Sequence, residues 1–245
     1  MNHKDRIAEK MAAYAKHGRG YHKGMLNQAA NADEIEFSDV DLSKAICRIT
    51  VPSETPGKSD LGTGFCIQID GKKYLVTNQH VIGTPEEAKV ARLEFMGGLE
   101  GGFVPQLNPE DEFWTNDVFD ATIVALKSCS GVVSLHINTD ISVLDPGAGM
   151  ILRIYGHTRK NKKLVNYCGN LVDFNSAGAT PLLEYQMDTE DGCSGSPIFQ
   201  SDHVVVVGLH RAAKTGKGAH NGFGSSMAQV LEAFFIHSVS SASMS

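Results

Sequence analysis

Short apolar segments alternate with turn signals along most of the chain, and this pattern excludes most folds. Ala45 to Val51 opens the series. Gly64 to Asp70 and Lys73 to Thr77 follow, separated by Asp70-Gly71, a dipeptide that favours a tight hairpin. Val90 to Phe95 and Ala121 to Leu126 continue it, with the single tryptophan, Trp114, in the Gly/Pro-rich stretch between them. A second set comprises Val132 to Ile137, Met150 to Tyr155, Leu164 to Phe174, Leu182 to Met187, Pro197 to Phe199, Val204 to Leu209 and Gly222 to Ser225. Met227 to His237 then places Met227, Val230, Leu231, Phe234 and Phe235 at helical spacing. Many short strands and one closing helix suit two small β-barrels or a sandwich. The halves divide near Ser128 to Gly131, giving an expected 43–130 and 131–245 behind an N-terminal arm, 1–42.

The arm differs from the rest. Within the first 30 residues Lys4, Arg6, Lys10, Lys16, Arg19 and Lys23 face only Asp5 and Glu9, although the whole chain is formally −6. Residues 4–16 have helical composition; glycines break it, and 25–42 is polar and acidic. Lacking interleaved aromatics beyond Tyr14 and Tyr21, the arm reads as a solvated or loosely docked extension and not as a nucleic-acid surface. The acidic remainder gives no reason to expect nucleic acid. Five cysteines, Cys47, Cys66, Cys129, Cys168 and Cys193, follow no metal or disulfide spacing and read as reduced thiols. With neither a leader nor a membrane-length apolar run visible, a soluble intracellular protein is expected.

The chemistry concentrates in Asp188-Thr-Glu-Asp-Gly-Cys-Ser-Gly-Ser-Pro-Ile-Phe199. Ser194 stands between glycines, as a nucleophile on a tight loop would. A serine hydroxyl needs a base to take its proton and donors to hold the oxyanion it creates. Gly192 can take backbone angles that aim its N–H and that of Ser194 into one space, and Gly195 is expected to leave room for substrate. His80, in Tyr74-Leu-Val-Thr-Asn-Gln-His-Val-Ile82, falls just past a strand end and is the candidate base. Asp120 precedes Ala-Thr-Ile-Val-Ala-Leu and is the candidate acid; Asp117, in a polar turn, is the lesser alternative.

The order His80, Asp120, Ser194, with Gly62-Thr-Gly-Phe65 upstream and Gly192-Cys-Ser-Gly-Ser-Pro197 at the nucleophile, resembles the chymotrypsin-fold serine peptidases over roughly residues 43–237. The resemblance implies an all-β fold of two antiparallel six-stranded barrels with a C-terminal helix, the site lying in the crevice between them. It implies a triad of His80, Asp120 and Ser194, an oxyanion hole from the N–H groups of Gly192 and Ser194, and no metal or cofactor. Cysteine nucleophiles in viral relatives replace the serine itself; Cys193 falls one position early and should point away.

Val204-Val-Val-Val-Gly-Leu-His-Arg211 resembles the strand that lines the pocket for the residue before the cut. His210 there resembles the pocket histidine of the viral 3C-like and glutamyl-specific branches, Thr189 in Thr-x-x-Gly-x-Ser-Gly is similar to the pocket threonine of sobemovirus, polerovirus and astrovirus serine proteases, and Asn221 is a candidate third contributor from the next strand. That similarity implies cleavage after Glu, with Gln second, in a polyprotein of which the chain is part, in the host cytoplasm. A genome-linked protein and a membrane-anchoring segment are partners implied by the same resemblance. A cellular or bacterial peptidase with this pocket is the alternative, and a peptidase fold that only binds peptides is a further one. His136 and His157 read as structural.

Overall fold

The computed structural model describes residues 5–12, 41–53, 58–96, 104–127, 129–159, 164–175, 182–200, 204–213 and 221–242. Most of the basic arm and the glycine-rich stretch 97–102 lie outside the described residues.

Strands from the first half form one sheet: β1 (Ile46–Pro52), β2 (Ser59–Ile69), β3 (Lys72–Thr77), β4 (Arg92–Phe95), β5 (Gln106–Leu107), β6 (Phe113–Asn116) and β7 (Ala121–Lys127). The order is β4-β1-β2-β3-β7-β5, with β6 also on β7. The β2–β3 turn falls on Asp70 and Gly71, with φ of 50° and 81°. Two residues in the left-handed region make the turn whose twist matches the strands it joins. Seven strands stand where six are expected because one strand position is broken. β5 and β6 lie along the same edge of β7, Gln106 opposite Lys127 and Asn116 opposite Ala121. The turn that closes on the Asn108 carbonyl separates them.

The second sheet contains β8 (His136–Ile137), β9 (Ile151–His157), β10 (Leu164–Asn175), β11 (Leu182–Gln186), β12 (Pro197–Gln200), β13 (Val205–Ala213) and β14 (Asn221–Ser226). The path β12-β9-β10-β11-β14-β13 returns to β12, so six antiparallel strands close a barrel. β8 adds to β13 in parallel.

Some expected boundaries move; β2 begins at Ser59, five residues before the expected Gly64, and the closing helix runs on to Ala242, five residues past the expected His237. Thr84-Pro85-Glu86-Glu87 is a capping box in which Thr84 and Glu87 satisfy each other's backbone N–H groups. It starts a helix, α2 (Pro85–Val90), that takes in Val90, the first residue of the expected strand, and β4 begins only at Arg92. Of Val132 to Ile137 only the last two residues pair as strand. The residues before them are tied to the first sheet instead, since Val133 donates to the Lys44 carbonyl and Leu135 to the Cys66 carbonyl.

Three apolar clusters hold the fold. One fills the first sheet's interior around Cys47, Ile49, Cys66, Leu75 and Val124. Another fills the second barrel around Leu152, Ile154, Leu183, Tyr185 and Ile198. The third joins them: Phe65, Ile67 and Val76 from one sheet, Phe199, Val206 and Leu209 from the other, and Met227, Val230, Leu231, Phe234 and Phe235 of the closing helix α3 (Met227–Ala242). Phe234 meets Tyr74 and Trp114 edge-on, at 5.8 and 6.0 Å between centroids. Residues 5–12 form α1, whose Met11 packs on this cluster while Lys10 Nζ lies 5.7 Å from the Phe235 ring centre. That segment of the arm is docked. No helix among the described residues is long and apolar enough to cross a membrane, and all five cysteines are free.

Candidate active site

Strand register brings His80 and Asp120 together. Thr77, the last residue of β3, pairs with Thr122 near the start of β7. His80 lies three residues beyond one and Asp120 two residues before the other, so both turns occupy one end of the sheet. His80 Nδ1 lies 2.8 Å from Asp120 Oδ2 and 3.1 Å from Oδ1, and the His80 backbone N–H also donates to Oδ1. Asn78 Nδ2 donates to the Asp120 carbonyl at 2.8 Å. These contacts hold Asp120 at φ 46°, a left-handed conformation that costs energy for any side chain and least for Asp and Asn. The Asp120 side chain is 12% exposed and that of His80 48%, an arrangement that leaves the outer face of the imidazole open. Asp117 is exposed, and only its carbonyl takes part, accepting from the Asp120 N–H.

The loop carrying Ser194 belongs to the second barrel but is fixed by the first. Thr63 N–H donates to the Ser194 carbonyl at 2.8 Å. Thr63 Oγ1 donates to the Gly192 carbonyl and accepts from the His157 N–H, each at 2.9 Å. Gly192 has φ 102°, and a Cβ there would meet the His157 carbonyl oxygen at 2.8 Å. Among the described residues neither the Gly192 N–H nor the Ser194 N–H has an acceptor in the protein, which leaves both able to serve an incoming oxyanion. Gly195 differs from expectation. At φ 87° its missing Cβ makes room for the Thr63 carbonyl oxygen, 2.0 Å from where that Cβ would stand, and for Thr77 Oγ1 at 2.5 Å. The clearance serves the junction of the two sheets, not a substrate.

The Ser194 hydroxyl donates to the Arg211 carbonyl at 3.2 Å and not to His80. Without substrate a nucleophile and its base need not be hydrogen-bonded, and such contacts tighten on binding. Cys193 is fully buried, and its thiol accepts from the Tyr167 hydroxyl. Burial raises the thiol's pKa, so Cys193 points into the second barrel as expected and holds its proton.

His210 and Thr189 meet, Nε2 to Oγ1, at 3.1 Å. Beyond them stands a residue that the sequence reading missed. Tyr185, fully buried on β11, places its hydroxyl 2.5 Å from His210 Nδ1 and 2.9 Å from the Phe223 carbonyl. A carbonyl only accepts, so the one phenolic proton goes to Phe223 and the phenolic oxygen takes the Nδ1 proton. Nε2 is then unprotonated and receives the Thr189 hydroxyl. Burial pushes the His210 pKa down to about 3, so the imidazole is neutral. In sequence Tyr185 is one more alternating strand aromatic, with no signal to set it apart. Asn221 is not brought to this pair: its amide donates to Glu184 Oε1 at 2.6 Å. His157 is buried behind the serine loop, and His136 sits in β8. No group of three or more metal-ligating side chains occurs among the described residues.

Known proteins resemble this chain in sequence or in fold. The sequence model of the family described as "Trypsin-like peptidase domain" matches residues 62–209. An uncharacterized protein of Sinorhizobium fredii (strain NGR234), y4fB, is 33% identical over 199 residues, covering 73% of this chain and 29% of that protein. Secreted RxLR effector protein 73 of Plasmopara viticola is 26% identical over 196 residues, covering 74% of this chain and 48% of its own. The chain therefore spans half or less of the curated relatives it matches. Among solved structures, the active form of the Rv3671c protease from M. tuberculosis superposes with a TM-score of 0.58 at 17% identity, covering 77% of this chain and 78% of that one. At that identity the likeness is one of fold, and it agrees with the chymotrypsin-like architecture.

Proposed function

This chain belongs to the trypsin-like peptidase domain family, and on that basis we propose that it is a serine endopeptidase with His80, Asp120 and Ser194 as its triad. The observation that carries the reading is the 2.8 Å contact of His80 Nδ1 with a buried aspartate whose backbone is held in a strained turn. A carboxylate there fixes the imidazole tautomer with Nε2 unprotonated and steadies the imidazolium when it forms. Ser194 turns from the Arg211 carbonyl to His80 Nε2, gives up its proton, and attacks the scissile carbonyl carbon. The oxyanion is received by the N–H groups of Gly192 and Ser194. His80 then returns the proton to the leaving amine, and water repeats the sequence on the acyl-enzyme. A fluorophosphonate probe tests this reading. Labelling of the wild type that disappears in Ser194→Ala supports it; folded wild type that resists labelling favours a peptide-binding module.

For the residue before the cut we propose Glu or Gln, read by His210 and Thr189. The support is the buried chain from Phe223 through Tyr185 and His210 to Thr189. A site of fixed hydrogen-bonding groups rejects side chains that cannot satisfy them. Because the imidazole is neutral, a carboxylate would enter without a cationic partner, and the expected preference moves from Glu towards Gln. Asn221 keeps a role only if it exchanges Glu184 for substrate. Peptide-library cleavage followed by mass spectrometry checks this, and a preference for Lys, Arg or large apolar residues would refute it.

Two settings fit these features. One is polyprotein processing inside a host cell, which the pocket resemblance favours and which would bring the genome-linked and membrane-anchoring partners. The other is a bacterial or cellular peptidase, which the rhizobial and oomycete relatives favour.

A further inference from the structure

Arg211 touches both ends of the candidate triad. Its carbonyl takes the Ser194 hydroxyl at 3.2 Å. Its Nε lies 3.6 Å from Asp120 Oδ2, and its Nη1 donates to the Val118 carbonyl at 3.3 Å. The strand explains how one residue reaches so much. Successive side chains of β13 point to opposite faces, so His210 turns into the second barrel towards Tyr185 while Arg211 turns towards the first sheet. The β13–β14 register shifts between His210 and Ala212, and a bulge of this kind re-aims the side chain it contains. Nothing in the serine-peptidase mechanism requires a cation at this point.

We propose that Arg211 is a positioning residue that acts through Asp120, clamping its turn across the two sheets and setting the pH at which the site becomes active. The inference rests on the serine-peptidase reading above. Asp120 Oδ2 is shared: His80 Nδ1 stands at 2.8 Å and Arg211 Nε at 3.6 Å. The charged or titratable groups around Asp120 are His80 in the turn after β3, Arg211 on β13 and the exposed Asp117 in its own turn; His210, beside Arg211, is neutral through burial. Arg211 is thus the permanent cation among the described residues in contact with the carboxylate. It draws off part of the negative charge that would otherwise hold the imidazolium. Without it the carboxylate's charge is left wholly to the imidazolium, and the acid side of the activity profile moves up. The turn also loses its tether at Val118.

The experiment is the rate of fluorophosphonate labelling of the full chain against pH, a readout that needs no knowledge of the substrate. Arg211→Gln is expected to raise the acid-side midpoint by about half a pH unit and to lower the plateau by about threefold to tenfold through looser positioning. Arg211→Lys, which keeps the charge but loses the planar fork, should keep the wild-type midpoint and recover part of the plateau. A Gln profile that is merely scaled down, or that superimposes on the wild type, overturns the proposal. If the Gln variant does not fold by circular dichroism, the Lys variant decides: a preserved midpoint with a slower plateau supports the inference, and a displaced midpoint overturns it. Wild type that is never labelled overturns the peptidase reading and this inference together, whereas failure of the inference alone leaves a labelled wild type.

Discussion

Thr63 and Gly192 are 129 residues apart in sequence, and the hydroxyl of one donates to the carbonyl of the other at 2.9 Å. Thr63 also accepts from the His157 N–H and donates its own N–H to the Ser194 carbonyl, so a single residue of the first sheet fixes the serine loop of the second. Its glycine neighbours show how tightly it is set. A Cβ on Gly62 would meet Val81 at 2.5 Å, and one on Gly64 would meet Ile49 at 2.8 Å. Thr63→Val keeps the shape and removes the hydroxyl. A buried group left unsatisfied costs about 1–3 kcal/mol, so the variant should lose about 2 kcal/mol or more in urea unfolding. Fluorophosphonate labelling should slow by more than tenfold, because the N–H groups proposed to hold the oxyanion sit on the released loop.

Two glycines with similar backbone angles should respond very differently to alanine. Gly195→Ala combines φ 87° with a Cβ 2.0 Å from backbone and should lose well over 3 kcal/mol or fail to fold. Gly149→Ala combines φ 67° with open space and should cost only about 1 kcal/mol, the conformational penalty alone. Comparing the two melts separates packing at the sheet junction from backbone strain.

His210 makes stability depend on pH in a defined direction. Its folded pKa is about 3, below an unfolded value near 6.5. Between those values the unfolded chain binds more protons, so stability is full above about pH 6.5 and is lost as pH falls towards 3. From pH 7 to pH 5 the linkage amounts to about 2 kcal/mol. Urea unfolding of His210→Gln at the two pH values should show a drop smaller by about that amount.

The thiols offer a separate check on the nucleophile. Cys193 is buried with its pKa raised, whereas Cys168 is exposed. Iodoacetamide on the native protein should modify Cys168 and spare Cys193, leaving Ser194 labelling intact. Cys193→Ala should likewise retain labelling. Loss of labelling on alkylation would assign the chemistry to a cysteine after all.

Much of this site was legible before folding, because the signals were local. Strand periodicity, the Asp70-Gly71 turn, the apolar stripe of α3 and the glycines around Ser194 each depend on near neighbours in the chain, so a linear reading reached them. The helix at Pro85 was equally local in its Thr84/Glu87 capping box, but that signal was passed over, and the strand after it was started two residues early, at Val90. What Gly195 makes room for depends on Thr63, a partner with no trace near residue 195. Tyr185, Thr63 and Arg211 look like ordinary strand residues until the two sheets meet. The sequence alone determined the all-β class, the order of the candidate triad and the strand that carries His210. Only the tertiary structure decided that Tyr185 fixes the His210 tautomer, that Asn221 is committed to Glu184, and that Arg211 shares the Asp120 carboxylate. Those are contacts between strands distant in the chain, and hydrogen bonds and charges act over a few ångströms of space, which sequence separation does not record.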